Sequence, residues 1–315
     1  MIRFLARRLV GAAVLVVVAS SGALLLAHLA PGDYVAGLGP GADPARLARE
    51  RAALGLDRPF AEQYVRWLGR AVQLDLGVSF RYQRPVRDLV VERTAQTALL
   101  GAAALVLASC VGVPLGVFTG SRRGGLLRSA VRALSGVLVS LPPLVSALIV
   151  TVLAARTGWL PPLGAAAEAG SPLGHIRLLA WQLALPAVAL ALPLAAALER
   201  LQSQALAAAL DEPSMTALRA RGLPRRRVLW HAVRLSLASV IGIYGLLAGS
   251  VFSGSFAVEL VTRWPGLGQL MVEAVAARDM YLVAGCAAMG SLVLAAAILA
   301  ADVALYVVDP RVRPA

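Results

Sequence analysis

The chain contains no lysine, and all 30 of its basic residues are arginine. The phosphate-binding loop of nucleotide hydrolases places a lysine after its glycine turn, in the pattern G-x-x-x-x-G-K-[ST]. No such loop exists here, so any ATP chemistry must belong to another polypeptide. Cysteine is nearly absent too. Cys110 and Cys286 lie inside apolar runs, where a thiol behaves as a small hydrophobe, and two such residues form no disulfide framework.

Charge is scarce as well. Only 15% of the 315 residues are charged and 59% are hydrophobic, whereas soluble domains usually carry about 25% charged residues. This composition indicates an integral membrane protein. With 17 carboxylates the net charge is +13, and such an excess favours either nucleic acid or an anionic membrane surface as a partner.

Several uncharged runs are long enough to cross a bilayer, which takes about 20 mostly apolar residues. They are 9–30, 94–120, 133–155, 178–198, 235–258 and 281–301. The first follows three arginines and could be read as a secretory signal, but it is longer than the apolar region of a typical signal peptide. We therefore expect it to be retained, and the sequence predicts six spans.

The placement of arginine predicts the orientation, because positive charge in short connections stays cytoplasmic. The connections 121–132 and 199–234 contain four and seven arginines, whereas the alternate connections 156–177 and 259–280 contain two each. Both termini are therefore expected in the cytoplasm. The arginines are concentrated in the short connections on the predicted cytoplasmic side of the membrane. The membrane surface therefore accounts for the positive charge, and we expect no nucleic-acid partner.

The segment 31–93 has ten arginines and eight carboxylates, and it is too long for the charge rule to apply. It is predicted to be a small external domain. Asp43 is a predicted N-cap, and Gly55 is predicted to end that helix. A second helix, from Pro59, would place one apolar face either on the membrane interface or against the bundle. That face consists of Phe60, Tyr64, Trp67, Leu68 and Ala71.

The stretch "DEPSMTALRARGLPRRRVLWHAVR" at 211–234 has local signals for a short, bounded helix. Asp211 is a predicted N-cap and Pro213 suits the first turn. Gly222 and Pro224 would stop the chain after about two turns.

Two interpretations of this stretch stay open. Met215 and Leu218 share one helix face, which we expect to be exposed and to suit docking into a groove on a partner. Arg219 and Arg221 would lie in the last turn, where the helix dipole favours cations. Alternatively the arginines only enforce topology, which is the favoured interpretation for those that follow Pro224.

The string "TALRARGLPRRRVLWHAVR" resembles the cytoplasmic coupling motif of binding-protein-dependent ABC importer permeases, in the form R-T-A-R-A-K-G-L…H-A-L-R of the dipeptide/oligopeptide/nickel branch. Other strings of the chain resemble that family in the same order. They are "LAPGD" at 29–33, "LGLDRPFAEQYVRWLG" at 54–69, "DLGVSF" at 75–80, "GVPLGV" at 112–117, "GWLPPLG" at 158–164, "WPGLG" at 264–268, "RDM" at 278–280 and "DPR" at 309–311.

The resemblance implies an all-α polytopic membrane protein with six transmembrane helices, the type I ABC importer permease architecture. It implies a first helix in 1–30, an external loop domain in 31–93, and a five-helix core in 94–315 with a coupling helix at 211–223. The implied partners are a second homologous permease subunit, two ATPase subunits, an extracytoplasmic substrate-binding protein and the lipid bilayer. The chain itself would bind no cofactor and catalyse nothing, because the ATPases use the ATP and magnesium.

Transferred residue by residue, the resemblance assigns contact with the ATPase to Met215, Leu218, Arg219, Arg221, Gly222 and Leu223. The chain departs from the pattern in a few places. Thr216 and Leu218 stand where the general motif has Glu and Ala. Ser203 and Ser239 stand where the family often has arginine and proline. These departures affect individual side-chain contacts and not the resemblance to the family. The implied location is the bacterial cytoplasmic membrane. The implied substrates are peptides, or else nickel chelates, opines or glutathione, and no substrate-contacting residue is assigned.

Other classes of membrane protein fit the sequence less well. An ion-coupled secondary transporter is the main alternative, but the six runs contain no carboxylate and only Asp302 follows the last. An intramembrane hydrolase lacks the H-E-x-x-H and G-x-S-x-G strings. His28 is predicted at the outer end of the first span, His175 outside and His231 in the cytoplasm, so no single metal site is expected to collect the three. Glu259 and Arg263 are predicted to gate the pathway or meet the binding protein, or else to anchor a helix at the interface.

Overall fold

The computed structural model describes residues 2–38, 43–121, 124–158 and 172–308, and these residues form no β-strand. They form one short 3-10 helix, Val35–Leu38, and twelve α-helices. The α-helices are α1 (Ile2–Leu29), α2 (Pro44–Leu54), α3 (Phe60–Ala71), α4 (Val86–Gly120), α5 (Leu126–Val139), α6 (Pro143–Thr157), α7 (Pro172–Asp211), α8 (Pro213–Ala220), α9 (Arg225–Ile241), α10 (Tyr244–Thr262), α11 (Leu267–Ala276) and α12 (Met280–Val308). The predicted all-α class is confirmed.

Four helices are long and apolar enough to cross a membrane. They are Ala6–Leu29, Val86–Gly120, Leu178–Asp211 and Met280–Ala300. Each contains most or all of one predicted run, because an uncharged run of about 20 residues can be recognised from sequence alone. The chain is therefore a polytopic helical membrane protein.

The predicted run 133–155 is not one straight helix. It divides into α5 and α6, which are bent by 111° relative to each other. Pro142 and Pro143 cause the break, because proline has no N–H to donate and restricts the residue before it to extended conformations. If the bent pair counts as one span, the described residues contain up to five candidate spans.

The predicted run 235–258 is not one continuous helix either. The run is divided between α9, which ends at Ile241, and α10, which begins at Tyr244. Gly242 is the C-cap of α9, and glycine is a weak helix former. The remaining apolar helix, Leu246–Thr262, is shorter than the four candidate spans.

The chain divides into two compact units. The first contains α1 to α3, α4 up to Thr97, α11 and most of α12. The second contains the rest of α4, α5 to α10 and the end of α12. The residues predicted to form an external domain, 31–93, all belong to the first unit.

Within the first unit, the predicted caps of α2 are confirmed. The Asp43 carboxylate accepts from the Ala45 N–H at 3.0 Å, and Gly55 ends the helix with φ 69°. The apolar face of α3 packs inward, because Trp67 is 4% exposed and lies in one cluster with Leu24 and Phe80. Of the two interpretations of this face, packing against the protein is the one observed.

Two of the family-like strings meet at a single carboxylate in this unit. Asp279, of the string "RDM", is fully buried and accepts from the Ser79 hydroxyl at 2.6 Å and from the Arg81 N–H at 3.1 Å. Its other oxygen accepts from the Leu282 N–H at 3.2 Å, in the first turn of α12. Asp279 therefore fixes the loop after "DLGVSF" to the start of the last helix.

Candidate functional site

The short helix α8 begins after an extended residue. Glu212 is its N-cap, with φ −65° and ψ 144°, and no side chain caps the helix. The predicted N-cap, Asp211, is wrong because this residue is the last of α7. Pro213 explains the difference, since proline restricts the residue before it to extended conformations. The break therefore falls at Glu212.

The other end of α8 is closed by a Schellman motif. Gly222 has φ +77°, its N–H donates to the Arg219 carbonyl at 3.0 Å, and the Leu223 N–H donates to the Leu218 carbonyl at 3.2 Å. This pair of bonds satisfies carbonyls that a helix end leaves without partners. The predicted stop at Gly222 is confirmed.

Met215 does not have the exposed position that the sequence predicted. It is 5% exposed and packs with Leu206 and Ala209 of α7 and with Val228 and Ala232 of α9. Leu218 and Leu223 are partly buried against the same cluster. The expectation that Met215 and Leu218 form an exposed docking pair is therefore wrong, because this face anchors α8 to its own chain.

The exposed residues of α8 and of the turn that follows it include Thr216, Arg219, Arg221 and Gly222. The Arg219 guanidinium donates to the Leu210 carbonyl at 3.3 Å. That carbonyl lies in the last turn of α7, where backbone oxygens lack helical donors. Arg219 thus holds α8 to the end of α7 while its side chain stays exposed.

Beneath α8, helices α4 and α7 approach each other closely along glycines spaced four residues apart, Gly112, Gly116 and Gly120. A Cβ atom at Gly116 would lie 2.7 Å from the Glu199 carbonyl, and one at Gly120 would lie 2.7 Å from the Ser203 carbonyl. Only glycine fits such an approach. Part of this segment is the family-like string "GVPLGV" at 112–117. The small-xxx-small spacing of its glycines was the sequence signal for this close packing, and it was missed.

A buried polar cluster joins the same helices. The Thr119 hydroxyl of α4 donates to the Glu199 carboxylate of α7, and the Gln202 side chain donates to the Ser236 hydroxyl of α9 at 2.8 Å. Arg132 of α5 donates to the Thr119 carbonyl at 2.5 Å. Glu199 was missed because it lies one residue beyond the uncharged run 178–198. Four helices are thereby linked near the base of α8.

Other candidate residues lie apart from this site. Glu259 is fully buried, and its backbone carbonyl accepts from the Trp264 N–H at 3.1 Å. Arg263 is the left-handed C-cap of α10. His28 stacks on Phe60 with ring centroids 4.4 Å apart, and His231 is exposed. The side chain of His175 and the predicted strings at 159–164 and 309–311 lie outside the described residues.

No metal site is found in the described part of the chain, where no three His, Cys, Asp or Glu side chains are grouped. The coupling assignment of Met215, Leu218, Arg219, Arg221, Gly222 and Leu223 stays a prediction.

Two family models match nearly the whole chain. Residues 112–314 match the binding-protein-dependent transport system inner membrane component. Residues 1–101 match the N-terminal part of the binding-protein-dependent transport system membrane component.

Curated relatives match over most of their length. The chain is 33% identical over 292 residues to a putative peptide transport system permease protein of Brucella abortus, covering 92% of each chain. It is 31% identical over 319 residues to the glutathione transport system permease protein GsiC of Escherichia coli, covering 99% of each. It is 29% identical over 309 residues to the dipeptide transport system permease protein DppB of Escherichia coli, covering 91% of each.

Proposed function

Because the chain belongs to the family of binding-protein-dependent transport system inner membrane components, and is thus an ABC importer permease subunit of the bacterial inner membrane, we propose that it forms half of a translocation path. The other half comes from a second, homologous permease subunit. Two ATPase subunits bind and hydrolyse ATP with magnesium, and an extracytoplasmic protein delivers the substrate. This chain binds no cofactor of its own.

The observation that carries this proposal is that α8 is anchored in its own chain and still exposes its C-terminal end. Met215 is buried against α7 and α9, whereas Arg219, Arg221 and Gly222 are exposed. A helix held this way can move only with the helices that it packs against. We assign the exposed C-terminal end to docking on an ATPase subunit, so that closure of the ATPase dimer displaces α8 and reorients the spans.

The buried polar cluster supports transmission from α8 into the membrane. The Thr119–Glu199 bond connects α4 to α7, the Gln202–Ser236 bond connects α7 to α9, and Arg132 adds α5. A polar side chain buried in a membrane protein costs free energy unless it has a hydrogen-bonding partner. Pairs of such side chains therefore fix the relative positions of the helices that carry them. A displacement of α8 would therefore be shared by four helices.

We assign six spans and cytoplasmic termini to the chain in the membrane, counting α5 with α6 as one span and α9 with α10 as another. Alkaline phosphatase fusions test this assignment. Fusions within 31–93, 156–177 or 259–280 should be active, and fusions within 121–132 or 199–234 inactive, because arginine is concentrated in the latter two. An active fusion at Leu218 would reverse the orientation.

The proposed substrates are peptides, which the names of the Brucella and DppB relatives support. Glutathione, nickel chelates and opines are the other substrates we consider, and the likeness to GsiC supports the first of these. The test is reconstitution with the cognate ATPases, sister permease and binding protein. We expect ATP hydrolysis that rises when the binding protein carries peptide, and none from the purified chain. Saturable ATP hydrolysis by this chain alone would contradict the proposal.

A further inference from the structure

A cavity of about 250 Å³ lies entirely within the first unit. Its lining comes from the end of α1 and the segment that follows it, from α2 and α3, and from the residues around the start of α12. Pockets for drug-sized ligands are usually about 300–1,000 Å³, so this cavity suits a smaller molecule. The orientation that we assign to the chain places the cavity on the outer side of the membrane.

Arg278 lines the cavity from an unusual backbone position. Its N–H donates to the Val275 carbonyl at 3.0 Å, and the Asp279 N–H donates to the Ala274 carbonyl at 2.9 Å, so a Schellman motif closes α11. The left-handed residue of that motif is usually glycine. Here it is Arg278, with φ 57°, at a cost of about 1–2 kcal/mol. Backbone strain of this kind is concentrated at functional sites, so the Arg278 side chain is a candidate for a ligand contact.

The Arg278 guanidinium packs against the backbone of Gly32. A Cβ atom built at Gly32 would lie 3.0 Å from the Arg278 Cζ and closer still to Nη1. Any side chain at position 32 would therefore displace the guanidinium. Gly32 thus leaves the space in which Arg278 reaches the cavity.

Three donors of the lining have no partner of their own. The Arg278 guanidinium, the His28 imidazole and the Tyr34 hydroxyl make no hydrogen bond or ion pair within the part of the chain that the structure describes. His28 is nevertheless held in place, because its ring stacks on Phe60. Each of these three groups can donate a hydrogen bond to an anion.

The described lining contains a single carboxylate, and it is already bonded. Asp33 accepts from Arg51 Nε at 2.6 Å and from Arg51 Nη2 at 3.2 Å, and also from the Ala36 N–H at 2.7 Å. The bond from Arg51 lowers the pKa of Asp33 from its ordinary value of 3.8, so the carboxylate stays ionised and keeps this partner at neutral pH. It therefore does not neutralise Arg278. With histidine neutral, the lining has one positive charge left over.

The same lining also contains an acceptor without a donor. Gln63 is 4% exposed, and its Nε2 donates to the Arg58 carbonyl at 2.8 Å. Its Oε1 is buried and accepts no hydrogen bond from any described residue. A buried acceptor left in this state costs about 1–3 kcal/mol. The missing donor must come from outside the chain, and the cavity is open space that Gln63 lines.

We propose that this cavity binds an α-amino acid, either free or as the C-terminal residue of a short peptide. The ligand carboxylate accepts two parallel hydrogen bonds from Arg278, the pattern that suits a guanidinium group. The adjacent ligand N–H donates to Gln63. A carboxylate matches the single positive charge that is left over, whereas a phosphate monoester carries about −1.5 to −2. Chloride has no donor for Gln63.

The inference goes beyond the proposed function, because the site shares no residue with α8, and it rests on that function only for its outer location. A carboxylate side chain of the extracytoplasmic binding protein has the same chemistry as the carboxylate of a free solute. Water also has donors for Gln63. The experiment must therefore separate the two carboxylates and test the ligand N–H by itself.

The assembled transporter is placed in nanodiscs without its binding protein, and L-alanine and L-alanyl-L-alanine are titrated by saturation-transfer NMR. Propionate is alanine without its nitrogen. We expect the better of the two probes to bind saturably and roughly tenfold more tightly than propionate, which leaves Gln63 without a donor. If neither probe binds saturably, or if propionate binds as tightly as the better probe, the proposal is refuted.

Matched variants show whether the probe binds in this cavity. Arg278→Gln and Arg49→Gln each remove one arginine from the first unit, and both residues are exposed, but only Arg278 lines the cavity. We expect Arg278→Gln to raise the Kd of the better probe roughly tenfold, the effect of losing charge-assisted hydrogen bonds. Arg49→Gln should leave the Kd unchanged, and Arg278→Lys should restore binding only in part. Equal shifts in the two glutamine variants would indicate diffuse attraction and not a site.

A further variant keeps every charge. Gly32→Ala places a methyl group against the Arg278 guanidinium, whereas the matched change Gly37→Ala places one where no atom lies within 4 Å. We expect the first to weaken binding at normal chain abundance and the second to leave it unchanged. Wild-type affinity in Gly32→Ala would show that the position of the guanidinium is irrelevant.

The outcome is distinguishable from a failure of the proposed function. Stimulation of ATP hydrolysis by the loaded binding protein is measured on the same nanodiscs. If stimulation is normal and neither probe binds, the site is refuted and the transport function stands. If neither probe binds but Arg278→Gln weakens association of the binding protein, the carboxylate belongs to that protein and the site for a solute is refuted. If stimulation never occurs although the probes and variants behave as expected, the site stands and the function is refuted.

Discussion

The Leu223 N–H donates to the Leu218 carbonyl at 3.2 Å, and the two side chains pack against the same apolar cluster. The bond spans Gly222, whose φ of +77° turns the chain from α8 toward α9. A backbone bond and a side-chain contact thus close the same turn. The exposed C-terminal end of α8 is therefore held at a fixed angle to the helices that it packs against.

Replacing Gly222 by valine should uncouple the transporter without preventing membrane insertion. A β-branched residue in the left-handed region costs about 1–2 kcal/mol, and no atom lies within 4 Å of a Cβ built there, so the effect is conformational and not steric. Gly222→Asn is the matched control, because asparagine tolerates this conformation. Peptide uptake and chain abundance are measured together. Normal uptake by Gly222→Val at normal abundance would show that the turn does not transmit force.

Truncation of Met215 should loosen α8. Met215→Ala removes a side chain packed between α7 and α9, and such core truncations cost about 2–5 kcal/mol. We expect protease cleavage after Arg219 and Arg221 to accelerate and stimulated ATP hydrolysis to fall. The control for cleavage is Thr216→Ala, at the next position and exposed, where a surface change should leave the cleavage rate nearly unchanged. If the two variants are cleaved at the same rate, Met215 is not the anchor.

Local signals predicted much of this structure, and packing explains what they missed. The caps at Asp43, Gly55 and Gly222 depend on neighbouring residues alone, so sequence was sufficient. The orientation of Met215 could not be predicted, because helical spacing is the same whether an apolar face meets its own chain or a partner. The burial of Glu199 was also missed, since it depends on a helix 80 residues away in the chain.

Asp279→Ala should free the loop after "DLGVSF". Removal of the carboxylate leaves the buried Ser79 hydroxyl and the Arg81 N–H without their acceptor, at about 1–3 kcal/mol for each buried group. We expect trypsin to cut after Arg81 much faster than in the wild type. Asp279→Asn keeps an acceptor oxygen and should be cut at an intermediate rate. Asp57→Asn, which changes an exposed carboxylate, is the control, and protection of Arg81 in Asp279→Ala would disprove the role of this carboxylate.

The close approach of α4 and α7 predicts that Gly116 tolerates no side chain. A Cβ there would lie 2.6 Å from the Gln202 Cβ and 2.7 Å from the Glu199 carbonyl. The two helices would have to separate, which would also pull Thr119 away from Glu199 and disconnect the polar cluster. Gly116→Val should therefore lower the melting temperature of the purified chain and abolish uptake. Gly136→Val makes the same substitution inside α5, where the nearest atom to the new Cβ is 3.9 Å away. Valine is a slightly better helix former than glycine, so this variant should keep the wild-type melting temperature or gain less than about 1 kcal/mol of stability. If Gly116→Val melts at the same temperature as Gly136→Val, the two helices are not held together by this glycine seam, and movement of α8 must reach the membrane by another route.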